Sequence, residues 1–157
     1  MELGTKCQRK NNCCKYGSGF LAPGDLEKIS KFLKVSPDEL KDRYLTEKEM
    51  FNKSLFRPRL KDQDKPYGEC IFFNGKGCKI HKVKPLQCRI GNCSEYGEQL
   101  SSWFLLNYIV DVDDPESIRQ YASFIKNGGK VIPGGKLSEL VPDKKKLARI
   151  LNYEIFR

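Results

Sequence analysis

The chain has 157 residues, 29 of them lysine or arginine against 20 aspartates and glutamates, for a formal net charge of +9, and 39% of it is hydrophobic. That size can bury a core without disulfide staples, and the apolar content excludes wholesale disorder. The longest apolar run, Trp103 to Val110, is too short to span a bilayer and contains Asn107, so no membrane association is expected.

Residues 1–20 are rich in Cys, Gly and Asn and read as irregular or short-stranded chain. They hold no apolar signal core, so a cytoplasmic location is expected. "APGDLEKISKFLKV" predicts a helix, with Pro23 at its first position and Asp25 in its first turn. Leu26, Ile29 and Leu33 recur at helical spacing, with Phe32 beside them. "SPDELKDRYLTEKEMF" predicts a second helix opened by a capping box, with Ser36 as N-cap, Pro37 at N1 and Glu39 at N3. Leu40 and Tyr44 form its apolar stripe.

From Lys53 to Gly68 the chain is basic and broken by prolines, which suggests a connecting loop. "ECIFFNGKGCKIHKV" has two β-prone runs around an Asn-Gly turn, a hairpin pattern. "KPLQCRIGNC" reads as a loop. "YGEQLSSWFLLNYIVDV" is helical in pattern. "DPESIRQYASFIKNGG" is a helix with Asp114 as N-cap, Pro115 at N1 and a stop at Gly128 or Gly129. "SELVPDKKKLARILNYEIF" predicts a terminal helix with Leu147, Ile150 and Leu151 facing inward. The expected fold is a small α+β, mostly helical protein with a short β-hairpin and C-terminal helices. A cysteine-cluster domain over 1–97 would carry a helical extension over 98–157 packed on the same domain.

Seven cysteines, at 7, 13, 14, 70, 78, 88 and 93, dominate the chemistry. In a reducing compartment they argue for metal binding or catalysis over disulfides, and their odd number excludes complete pairing within one chain. A thiolate is costly unless a cation holds it, so a gathered set signals a metal or cluster. Cys70 and Cys78 sit on the two hairpin arms. A three-residue loop would point both to one face; another register would oppose Cys70 to His81. Adjacent Cys13 and Cys14 either share one site from a bend or serve two sites. The spacings, with 5, 0, 55, 7, 9 and 4 intervening residues, match neither a zinc ribbon nor a ferredoxin run. An all-sulfur set suits zinc or iron–sulfur clusters, and four cysteines suffice for either one tetrahedral Zn2+ or one [4Fe–4S] cluster.

"CQRKNNCC", then "GFLAPGDLEKI", then C-x7-C-K-I-H-x3-P-x2-C-R resembles the YkgJ-type proteins, with a zinc- or iron-chelating CxxCxxCC domain. Cys7, Cys13, Cys14, Cys70, Cys78 and Cys88 match that pattern by position, as do Gly75, Ile80, Pro85 and Arg89. There are departures. Lys10 stands at the second motif cysteine and Ala22 at a helix-capping threonine. His81 replaces the usual tyrosine, and Lys84 the arginine before proline. "IGNC" follows Cys88-Arg89 where the family has Phe-Pro, so Cys93 is extra; we read it as the substitute for the ligand lost at Lys10. The resemblance implies zinc or iron without choosing. A related group, the flagellin lysine methylases, has a similar cysteine pattern and is regarded as containing an iron–sulfur cluster, which tilts the choice slightly toward iron–sulfur.

The expected function is thus metal binding through Cys13, Cys14, Cys70, Cys78 and Cys88, with Cys7 and Cys93 behind them. Arg89 would offset the thiolates' charge, and His81 would pack or hydrogen-bond rather than ligate. The centre would be structural, redox-active or catalytic, the last on a protein side chain by analogy with the methylases. The rival is a zinc-stapled basic interaction module that binds nucleic acid or a protein partner. Its best basic patch is Arg57, Arg59, Lys61 and Lys65, near Phe56 and Tyr67. The interleaved charges elsewhere favour an ordinary solvated surface.

Overall fold

The computed structural model describes residues 11–91 and 95–155. Its α+β, mostly helical class is as expected. The chain forms two units, Met1–Lys48 with Leu55–Leu100, and Glu49–Ser54 with Ser101–Arg157.

In the first unit, α1 (Asn12–Tyr16) is a short helix where irregular or short-stranded chain was expected. Asn11 turns the chain into it at φ 60°, a region asparagine tolerates, and its carbonyl accepts from the N–H groups of Cys14 and Lys15. α2 (Asp25–Leu33) begins two residues after Pro23, so the proline lies in the preceding turn rather than at the first helical position. Ile29 is fully buried, and Leu26 and Leu33 pack against the same core. α3 (Pro37–Tyr44) starts as the sequence indicates: Ser36 Oγ accepts from Glu39 N–H at 3.1 Å. The Glu39 carboxylate pairs with Arg43 at 2.6 Å.

The helix expected to reach Phe51 stops at Tyr44. Leu45–Met50 is strand β1, paired with β2 (Lys53–Pro58), which occupies part of the expected connecting loop. The turn between them explains the change. Phe51 and Asn52 lie at φ 50° and 61°, the pair of positive angles that a type I′ hairpin turn requires. Asparagine suits such a position; phenylalanine does not. Burial offsets that cost: within the second unit the Phe51 ring meets Tyr121 and Phe124 edge-on, at 5.9 and 5.8 Å. The residues of "LTEKEM" favour helix locally, and tertiary packing overrides them.

The hairpin expected at 69–83 closes only at its tip. Phe73 bridges Cys78, and the Phe72 carbonyl accepts from Lys79 N–H. This register is the one that would oppose Cys70 to His81, but the arms part and Cys70 bridges Leu60 instead. Cys70 and Phe72 join Leu21, Ile29, Leu40, Leu45 and Ile80 in the core, with Tyr44 stacked on Phe72 at 5.5 Å. Cys88 lies on a short helix, α4 (Leu86–Ile90), where a loop was expected.

Further on, α5 (Gly97–Phe104) passes into a π-helical stretch, Leu105–Ile109. α6 (Pro115–Lys126) has Pro115 in its first turn, and Asp114 accepts from Glu116 N–H at 3.0 Å. The expected single terminal helix is two, α7 (Leu137–Leu140) and α8 (Lys144–Leu151). Pro142 cannot continue a helix, and Asp143 recaps the chain by accepting from Lys145 and Lys146 at 3.0 and 3.1 Å. Ile150 is buried with Ile118 and Val141, and Leu147 packs on them, but Leu151 is exposed, contrary to expectation. Among the described residues no helix is long and apolar enough to cross a membrane.

Candidate metal centre

Cys13, Cys14, Cys70, Cys78 and Cys88 all line one cavity of about 170 Å³ in the first unit. Helical winding in α1 lets two adjacent cysteines face one space, which an extended strand forbids. The Cys70 N–H donates to the Cys14 carbonyl at 2.8 Å and ties α1 to the bridge at Leu60. Cys78 comes from the closed hairpin tip and Cys88 from the middle of α4. Cys7 and Cys93 lie outside the described residues.

Backbone N–H groups point at four of these sulfurs. Gly19 donates to Cys88 at 3.2 Å, Phe72 to Cys70, Ile80 to Cys78 and Cys14 to Cys13. Such donors favour thiolates. The crowding of five sulfurs opposes them. Cys13 is held neutral, first by its hydrogen bond with Cys14 and then by burial. At Cys14 the bond with Cys13 acts downward, but the bond with Cys78, burial and the neighbouring sulfurs outweigh it and push the thiol up to about 11. Burial pushes Cys88 up to about 12 and raises Cys70 as well. Cys78 is lowered, chiefly by its hydrogen bond with Cys14. Without a cation, then, most of these groups prefer to keep their protons.

Fixed positive charge stands nearby. Lys84 lines the same cavity with only 7% of its surface exposed, and it favours the Cys13 thiolate. Arg57 is held by Ser18 Oγ at 2.9 Å and over the Phe20 ring at 5.4 Å, and it favours the Cys70 thiolate. Neither was picked out from the sequence as part of the site. Nothing among 29 basic residues marks which becomes buried. His81 lines the cavity too. Arg89, expected beside the thiolates, pairs with Asp25 at 3.3 Å.

Asp25 is the clamp on Cys88. It is 2% exposed and accepts from Ala22 N–H and Leu86 N–H, both at 2.8 Å, as well as from Arg89. The start of α2 is thereby locked to the start of α4. Gly19 sets the other side. A Cβ there would stand 2.6 Å from Cys88 Sγ and 2.9 Å from Cys88 N. We expect Gly19→Ala to push Cys88 out of place, with about 1–3 kcal/mol of overpacking strain. Thermal unfolding of the metal-free protein and metal stoichiometry check this; an unchanged metal content would show that α4 can yield.

The donor set fits a thiophilic metal: five soft sulfurs, backbone N–H groups aimed at four of them, and buried countercharge. Among the described residues, no group of three Cys, His, Asp or Glu is arranged to hold one metal ion. The cavity is also several times the minimum that admits one water, about 10–15 Å³.

A small α+β frame built around such a set defines a cysteine-cluster metal-binding domain. The chain belongs to the CxxCxxCC family, described as "Putative zinc- or iron-chelating domain", whose pattern covers residues 6–106. This is the family of the YkgJ-type proteins. The chain is also 35% identical over 85 residues to "Uncharacterized protein MJ0661" of Methanocaldococcus jannaschii, a match that covers 50% of this chain and 42% of that protein. The chain thus spans less than half of that relative's length. No solved structure matches it.

Proposed function

We propose that the thiols of this cavity hold an iron–sulfur cluster. The observation that carries the reading is one cavity lined by five cysteines and wider than a single ion needs. Four thiolates complete a [4Fe–4S] cluster, which when bound supplies one-electron chemistry or a structural staple. The chain's own part is to gather the sulfurs, donate N–H groups to them and offset their charge with Lys84 and Arg57. Metal and acid-labile sulfide assays on anaerobically purified protein, with a visible spectrum, test this. Iron with sulfide and broad charge-transfer absorbance is expected.

A second reading is a zinc staple in a module that binds a protein or nucleic acid. It draws on the hydrogen-bonded run Cys13–Cys14–Cys78, three thiols linked in series along the cavity wall. Colourless protein with stoichiometric zinc and no sulfide would replace the first reading by this one.

Either metal should bind more tightly as pH rises. Cys14 near 11 and Cys88 near 12 enter as thiols at neutral pH. Each proton displaced adds up to about tenfold in affinity per pH unit. The metal-free fold behaves in the opposite way. Its raised thiols contribute stability below the ordinary value of 9.0 that is lost as pH climbs toward about 12. Chelator competition and denaturant unfolding at neutral and alkaline pH should show these opposite slopes.

A further inference from the structure

A second cavity of about 90 Å³ lies in the first unit, on the strand side of the hairpin. Its polar lining is Thr46, Lys48, Arg57, Arg59, Gln63 and Lys65, and no carboxylate lines it among the described residues. Four cations around so small a space repel one another unless an anion or ordered water fills it.

The two arginines are already in place. Arg59 Nη2 donates to the carbonyls of Asp42 and Leu45, and its Nε is buried with no hydrogen-bond partner. Arg57 is steadied by Ser18 and the Phe20 ring. Guanidinium groups held this way lose little entropy on meeting an oxyanion and match its geometry. The lysines are looser. Lys48 is exposed, and Lys65 makes a solvent-exposed pair with Asp62 at 3.4 Å, weak enough to release its ammonium. The volume suits a few waters or one tetrahedral oxyanion, not a base or a peptide.

We propose that this cleft binds one phosphate-type oxyanion, either inorganic phosphate or the phosphate of a monoester. Arg57 and Arg59 are the preset donors, and Lys48 and Lys65 close the rim. Arg57 also offsets the thiolates' charge, so the test varies only Lys48 and Lys65, which have no part in the metal centre.

The test is an NMR titration of the full-length, metal-loaded chain with inorganic phosphate and, separately, with phenyl phosphate. Saturable shifts of backbone amides around 46–48 and 57–65 are expected with at least one of them. The tighter of the two identifies the source. The double variant K48Q/K65Q should bind about tenfold more weakly, as expected from the loss of two rim charges, with its metal content unchanged. Three results would overturn the proposal: shifts that do not saturate, equal binding by the double variant, or binding only of a single-stranded oligonucleotide with a salt dependence of several charges. The last would mean an extended phosphate track instead of a one-anion site.

Discussion

Cys70→Ser should weaken metal binding and lower the stability of the metal-loaded form by about 3 kcal/mol. That is one ligand's share of the roughly 10–16 kcal/mol that a four-ligand structural zinc site contributes in small peptides. Cys70 is a demanding choice because it is also a core residue, 5% exposed among Leu21, Ile29, Leu40 and Phe72. A serine hydroxyl buried there costs about 1–3 kcal/mol with no metal involved. The two roles separate when loaded and metal-free proteins are unfolded side by side. A ligand makes the gap between them narrow by about that amount in the variant. If both forms fall equally and metal content holds, Cys70 is packing alone. Cys88→Ser should behave in the same way, with the added loss of the Gly19 N–H···S contact at 3.2 Å.

The second large effect is expected at a residue that touches no sulfur. Asp25→Ala removes the acceptor for two backbone N–H groups and for Arg89, all on a side chain that is 2% exposed. Buried donors left without partners cost about 1–3 kcal/mol each, and breaking a buried ion pair costs about 3–5 kcal/mol. Arg89 is 38% exposed and can turn to water, so a total near 3 kcal/mol is the reasonable expectation. Because Asp25 locks α4 to α2, metal affinity should fall as well, by about the 10–100-fold seen when a ligand's support is removed. Asp25→Asn, which keeps one acceptor oxygen, should lie between. Denaturant unfolding and chelator competition measure both effects. A stability change within about 0.5 kcal/mol, the range of an ordinary surface substitution, would refute the clamp.

Local chemistry was readable wherever a short stretch decides its own structure. Ser36 and Asp114 cap helices because a side-chain oxygen reaches an N–H two or three residues ahead. The helical spacing of Leu26, Ile29 and Leu33 faces the core as written. Stretches whose structure is set by distant groups are not legible in this way. "LTEKEM" becomes a strand because a hairpin turn is held by the burial of Phe51 against Tyr121 and Phe124, some 70 residues further along. The break between α7 and α8, by contrast, is local: Pro142 ends the first helix and Asp143 caps the second.

The site divides in the same way. Residue types and their order settle the donor chemistry: many soft sulfurs, a family pattern across residues 7–89, and no other cluster of comparable specificity. It takes the folded chain to bring Cys13, Cys14, Cys70, Cys78 and Cys88 to one cavity, to bury Lys84 beside them and to pair Arg89 with Asp25. Those outcomes depend on contacts such as Gly19 with Cys88, 69 residues apart, and Asp25 with Leu86, 61 apart. Residue type sets what a side chain can bind. Which side chains meet is set by burial and hydrogen bonding summed over the whole fold, and no local window contains that sum.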